Sequence, residues 1–108
     1  MRWTFRTLNA QVDEEVRRLP PDMQARLLRF GDFIEQAGLE YLPRDSVKHL
    51  EGKLWELRIT GRDGIARAIY VTATGRRVVV LHVFVKKTQK TPPRSLETAR
   101  KRLKELEP

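Results

Sequence analysis

Between Leu54 and Lys86 the chain carries three runs rich in β-branched and small apolar residues, separated by two short polar turns containing glycine. The runs are Leu54–Thr60, Ile65–Ala73 and Arg77–Lys86, and the turns are Gly61-Arg62-Asp63-Gly64 and Ala73-Thr74-Gly75-Arg76. Turns this short join neighbours that run in opposite directions, so the segment is expected to be an antiparallel meander. The last run, Val78 to Val85, is apolar throughout except for His82. Such a strand has almost no polar face to give to water and belongs at the centre of a sheet, covered on both sides. The covers must come from the rest of the chain.

The flanking segments carry helical spacing. From Gln11, Val12, Val16 and Leu19 recur at four and three until Pro20-Pro21 stops the helix. Pro21 suits the first position of a second helix, whose stripe is Met23, Leu27, Phe30, Ile34 and Ala37 and whose end is Gly38. Ahead of this hairpin, Met1–Leu8 alternates as a short strand does, with Trp3 and Phe5 on one face. The stretch around Pro43 reads as irregular. After Thr91-Pro92-Pro93, a terminal helix from about Ser95 to Leu106 buries Leu96, Ala99, Leu103 and Leu106. The expected fold is α+β in the order βααβββα: one antiparallel sheet against an N-terminal helical hairpin and a C-terminal helix. A chain of 108 residues fills one core, so residues 1–108 form a single domain.

Charge is spread unevenly over this plan. The net charge is +8, yet residues 1–43 hold six Arg and seven Asp/Glu, net −1, whereas residues 44–108 hold sixteen Lys/Arg and seven Asp/Glu, net +9. A field with that direction attracts polyanions, of which nucleic acid is the commonest; a merely solubilising surface is the alternative. With 40% hydrophobic and 33% charged residues the chain is neither disordered nor lipid-embedded. No apolar run approaches the ~20 residues of a bilayer crossing, and the alternation of Met1–Leu8 is not a signal peptide's apolar block. A cytoplasmic protein without membrane contact is expected. The chain has no Cys, which excludes disulfides, thiolate zinc sites and cysteine nucleophiles.

Most catalytic signatures are missing. Glu51-Gly52-Lys53-Leu54 has neither the spacing nor the hydroxyl of a phosphate-binding loop. His49 and His82 lie far apart with no acidic cluster, so neither a metal nor another cofactor is expected. Ser46 and Ser95 sit in turn or cap contexts rather than on a nucleophile elbow. What remains is a basic and aromatic set gathered by the meander: Arg58 on the first strand, Arg67 and Tyr70 on the second, and His82, Phe84, Lys86 and Lys87 on the third, with Lys90 and Arg94 beyond. Strand alternation puts His82, Phe84 and Lys86 on one face, with Lys87 on the other unless the strand has ended. Arg67 stands out, because a guanidinium within Ile65-Ala66-Arg67-Ala68-Ile69 costs several kcal/mol unless it meets an acid, solvent or a ligand. Glu56 on the neighbouring strand is the candidate acid.

Three segments, Lys53-Leu54-Trp55-Glu56-Leu57-Arg58, Ala66-Arg67-Ala68-Ile69-Tyr70 and Leu81-His82-Val83-Phe84-Val85-Lys86-Lys87-Thr88-Gln89-Lys90-Thr91-Pro92, together with the Ala99-containing helix, resemble the phage-derived Gp49-like branch of the RelE/HigB toxins of type II toxin–antitoxin systems. The resemblance runs over essentially the whole chain in order and spacing. It implies a toxin that cleaves messenger RNA in the ribosomal A site, inhibits translation, and is neutralised by a cognate antitoxin of the helix-turn-helix type. A ParE-like inhibitor of DNA gyrase on the same scaffold is the alternative, and a plain RNA-binding module is a third reading.

Metal-free RNA cleavage needs a base for the ribose 2′-OH, cations for the charge that builds on the phosphorane, and an acid for the leaving 5′-oxygen. Arg58 and Arg67 suit the phosphate, since a guanidinium offers a planar fork and keeps its proton. His82 is either a proton-transfer group or a buried structural histidine. Lys86 or Lys87 can act if neighbouring cations lower its pKa. Lys53, Lys90 and Arg94 are candidate RNA contacts, and Tyr70 and Phe84 candidate stacking platforms with a core role open for at least one. Where the RelE type carries a lysine, this chain has Leu54 and Glu56, so Glu56 is a base or an arginine partner and the general base is unassigned.

Overall fold

The computed structural model describes residues 2–86 and 90–106. In chain order the elements are β1 (Thr4–Thr7), α1 (Ala10–Arg17), α2 (Pro21–Ala37), β2 (Val47–Glu51), β3 (Leu54–Gly61), β4 (Gly64–Ala73), β5 (Arg77–Lys86) and α3 (Pro93–Leu106), with two 3₁₀ turns at Leu39–Tyr41 and Arg44–Ser46. Helix α1 starts where the Asn9 side chain accepts the Val12 amide at 3.1 Å. Helix α2 starts with Pro21 in its first turn and ends at Gly38, whose φ of 111° no β-carbon tolerates well and whose amide closes on the Ile34 carbonyl.

The five strands lie in the order β1-β5-β4-β3-β2. The meander expected from the glycine turns is present as β3-β4-β5, antiparallel throughout. Two features differ from the sequence reading. The segment read as irregular contains β2, an edge strand antiparallel to β3. Its two apolar residues, Val47 and Leu50, pack on opposite faces of the sheet, and a bulge between His49 and Glu51 breaks the register. A five-residue strand with no run of alternation leaves no period-2 signal. The second difference is β1, which pairs with β5 in parallel, Thr4 opposite Arg77, so the sheet is mixed. Strand β5 is therefore interior, as expected, but β4 is the middle strand.

Each face of the sheet has its own core. Under α1 and α2 lie Val12, Met23, Leu27 and Ile34 against Leu57, Ile59, Ala68, Val78 and Val80. On the opposite face, Ala99, Leu96, Leu103 and Leu106 of α3 pack on Ile69, Val71, Val79 and Leu81. Burial of these side chains supplies the main driving force of the fold, roughly 1.5–3 kcal/mol for each large one fully buried.

Helix α2 comes close to β1 at one point. A β-carbon placed on Gly31 would stand 2.6 Å from Cδ2 of Phe5. Gly31→Ala is expected to destabilise the protein by about 1–3 kcal/mol despite alanine's better helix propensity. Urea unfolding measures this, and an unchanged midpoint would show that the Phe5 ring moves aside freely.

Candidate active site

The α3-facing side of the sheet carries the charged residues. Arg58, Arg67 and Phe84 form a row across β3, β4 and β5, with Ile65 opposite Lys86 one step toward the strand ends and Glu56 opposite Ile69 one step back. Glu56 is only 2% exposed. Its Oε1 lies 2.8 Å from Arg67 Nε and 4.0 Å from Lys86 Nζ. Its Oε2 accepts a 2.6 Å hydrogen bond from the Thr91 hydroxyl, just ahead of α3. Of the two readings open for this residue, the geometry is that of an arginine partner.

The pairing does not saturate Arg67. That residue is 3% exposed, yet among the described residues neither Nε nor Nη1 makes a hydrogen bond, because the Glu56 carboxylate lies close to Nε but off its N–H direction. Burial lowers the proton affinity of Arg67, Glu56 opposes this, and neighbouring Arg58 adds to it. A guanidinium so placed is desolvated without full compensation, a state that costs free energy until an anion meets it. Lys86 is in similar circumstances. Burial pushes its pKa down from the ordinary lysine value, Glu56 pulls it back, and Arg67, Lys48 and Arg58 press it further down. Cation crowding at Lys86 is thus real, with desolvation the larger cause. Arg58 is exposed and lines a groove of about 400 Å³ with Arg26, Phe30, Pro43, Asp45, Ser46 and Thr60.

His82 belongs to a second constellation on the same strand. The register shift between β4 and β5 leaves Leu81 without a partner, since Ile69 faces His82 and Tyr70 faces Val80. Groups of the bulge are satisfied by two helices: Glu15 of α1 accepts the Val83 amide at 2.9 Å, and Arg102 of α3 donates to the Leu81 carbonyl at 2.8 Å. Glu15 also lies 3.0 Å from His82 Nδ1 and 2.9 Å from Arg102 Nη1. The imidazole stacks on Phe84 with centroids 5.1 Å apart. Burial opposes ionisation of Glu15, but His82, the Val83 amide and Arg102 together outweigh it and hold the carboxyl below its usual range.

The remaining expected residues are placed as follows. Tyr70 is not on this face: it is 3% exposed in the core beneath the helical hairpin, where burial raises its hydroxyl to about 12. Alternation from Arg67 dictates this, and the stacking role expected for Tyr70 is corrected to a core role. Lys53 sits in the β2–β3 turn and lines a groove with Thr74, Arg77 and Leu106, at the end of the sheet away from Arg58 and Lys86. Arg94 is exposed in the first turn of α3, and Lys90 is exposed just before it. Lys87 lies outside the described residues. Sequence reasoning missed Lys48, which faces Glu56 from the unrecognised β2, as well as Thr91, Glu15 and Arg102. Nothing in the spacing of Glu15 or Arg102 marks them, because their partners are groups freed by a bulge.

A family model for phage-derived Gp49-like proteins matches residues 14–104, a span that includes every residue of both constellations. The chain belongs to this family. Comparison with solved structures places the Gp49-like chain on the RelE fold. It matches a chain of the archaeal RelE–RelB complex from Pyrococcus horikoshii OT3 with a TM-score of 0.62 and 23% identity, covering 81% of this chain and 98% of that one. No curated protein matches. The Gp49-like chain thus has the RelE fold, an α+β arrangement as read from its sequence. Among its described residues no group of three acids or histidines is placed to hold a metal ion, and no helix is long and apolar enough to cross a membrane.

Two predictions follow from these charges. Because the folded Glu15 carboxyl is held below 4.5, its contribution to stability is complete above that pH and is lost as pH falls through the lower folded value. Glu15→Gln should flatten the acid side of the unfolding midpoint plotted from neutral pH down through 4.5; an unaltered acid limb would exclude the network as its source. For Lys86 the sign is opposite. The unfolded chain holds this proton more tightly, so at neutral pH the buried ammonium opposes folding, and stability gains as pH rises toward 10.5. Lys86→Met should raise the melting temperature, by about 4–8 °C for each kcal/mol recovered. A lower melting temperature would make Lys86 a net stabiliser through Glu56.

Proposed function

We propose that this Gp49-like protein is the toxin of a type II toxin–antitoxin pair and acts as a metal-independent endoribonuclease on messenger RNA engaged by the ribosome. The observation that carries the reading is the buried Arg67 guanidinium with an unpartnered Nη1, beside a lysine of lowered pKa, on the basic part of the chain. Unsatisfied buried donors of this kind favour an anion that arrives with the substrate. Family membership and the RelE fold agree with it. RelE is crystallised with RelB, and a cognate antitoxin of the helix-turn-helix type is the corresponding partner proposed here.

In this reading the scissile phosphate takes its place against Arg67 and the exposed Arg58, which offset the charge of the phosphorane. Lys86 exchanges the proton. A depressed pKa brings its neutral form closer to the working pH, where a proton-transfer group is most effective. Loss of the 2′-OH proton lets that oxygen attack the phosphorus, and the 5′-oxygen leaves as a hydroxyl once protonated. Glu56 holds Arg67 and Lys86 at a fixed separation, its carboxylate committed to them and to the Thr91 hydroxyl. His82, tied to Glu15, supports Phe84, which stacks on a splayed base. Lys90 and Arg94 extend the basic track; Lys53, at the far end of the sheet, does not. Few groups are needed if the ribosome orients the substrate, since orientation alone can supply about 7–11 kcal/mol of a barrier.

Expression without antitoxin should arrest growth and create new messenger RNA 5′ ends within translated frames, and the cuts should vanish when translation is blocked. Arg67→Ala or Lys86→Ala should reduce cutting about 10²–10³-fold. Arrest with intact messages would overturn the nuclease and favour a gyrase inhibitor.

A further inference from the structure

A second surface lies on the other side of the molecule from α3. Along α2, Arg26, Arg29, Phe30 and Phe33 share one helical face, and the 3₁₀ connector brings Tyr41 and Pro43 up against it. Together they line a pocket of about 380 Å³. Phe33 is 40% and Tyr41 69% exposed, unusual for side chains of that size side by side. Arg26 and Arg29, one turn apart on the rim, make no ion pair or side-chain hydrogen bond among the described residues. The pocket shares Arg26, Phe30 and Pro43 with the groove that reaches Arg58, so one continuous channel runs from the aromatic pocket to the proposed phosphate clamp.

We infer that this channel is the docking site of an acidic amphipathic segment of the inhibitory partner, with apolar side chains in the Phe33–Tyr41 pocket and carboxylates on Arg26 and Arg29. The inference rests on the toxin reading above and adds to it where the partner binds and with what chemistry. Three observations select a protein over RNA. The pocket is concave and largely apolar, the shape that takes aliphatic or aromatic anchors rather than a polyanion's backbone. Its two unpaired cations at one-turn spacing match carboxylates on a helix lying along α2. Residues 1–43, which supply nearly all of the pocket, carry net −1, whereas the field that draws nucleic acid comes from residues 44–108 with net +9. A segment continuing past Pro43 would cover Arg58, so docking here also explains how a bound partner silences the site.

The test expresses the full chain from its native locus with flanking genes intact, carrying the photo-crosslinking residue p-benzoylphenylalanine in place of Phe33. The expected product joins the chain to a protein segment with Asp or Glu at one-turn spacing, and its yield falls roughly tenfold in the Arg29→Glu background. Arg29 is exposed and lies outside the groove that holds Arg58, so Arg29→Glu should keep its fold by circular dichroism and still arrest growth when expressed alone. A cross-link to RNA or to a second copy of the chain, no cross-link, or a yield insensitive to the charge reversal would each overturn the docking site. Growth arrest by the chain alone separates the two claims: if arrest occurs and the cross-link fails, only the docking inference falls; if arrest never occurs, the toxin reading falls with it.

Discussion

One enclosed carboxylate organises the face of this protein on which its chemistry is proposed. Glu56 stands on β3 with a guanidinium from β4, an ammonium from β5 and a hydroxyl from the approach to α3 around it. Without it, two cations would face each other in a low-dielectric layer with nothing to hold them together. With it, they are held but incompletely satisfied, since one carboxylate offers too few lone pairs in the right directions for Arg67, Lys86 and Thr91 at once. The resulting deficit leaves Arg67 donors that the proposed phosphate would meet. That is how a sheet of otherwise ordinary hydrophobic strands comes to enclose two cations beside a single acid.

The middle of β5 shows a different solution to a similar problem. A bulge at Leu81 frees backbone groups inside the sheet, and Glu15 and Arg102 reach in from helices on opposite faces to meet them. The two helices are thereby tied across β5 by a single charged cluster, and His82 is fixed in the course of it. The histidine's stacking against Phe84 follows from plain alternation, since both residues lie beyond the bulge and two positions apart.

What the chain reveals before folding follows from which interactions are local. The meander was legible because glycine turns and β-branched runs report on neighbours in sequence, and α2 because Pro21 and Gly38 mark its ends. Arg67 and Glu56 were legible as a pair because adjacent strands of a hairpin fix their approach. Strand β2 was not, since a bulge leaves Val47 and Leu50 out of phase. The direction of β1 was hidden as well, because a parallel partner at Arg77 leaves no trace near Thr4. Tyr70 looked like a stacking residue by type, but alternation from Arg67 sends it to the hydrophobic side. Glu15 and Arg102 had no signal at all, their partners being backbone groups far away in sequence.

The parallel pairing of β1 with β5 also sets an order of events in folding. Strands β2 to β5 close through short turns and pay little loop entropy, whereas Thr4 must find Arg77 across most of the chain. The four-stranded meander β2–β5 is therefore expected to close before β1 docks on its open β5 edge. Until β1 docks, that edge presents unpaired backbone beside a run of valines, the arrangement most prone to pair with another molecule. Helix α2, which meets β1 at Gly31 and Phe5, is thus more than a cover for the core: it backs the strand that covers the β5 edge, the kind of edge that pairs with other molecules when left open.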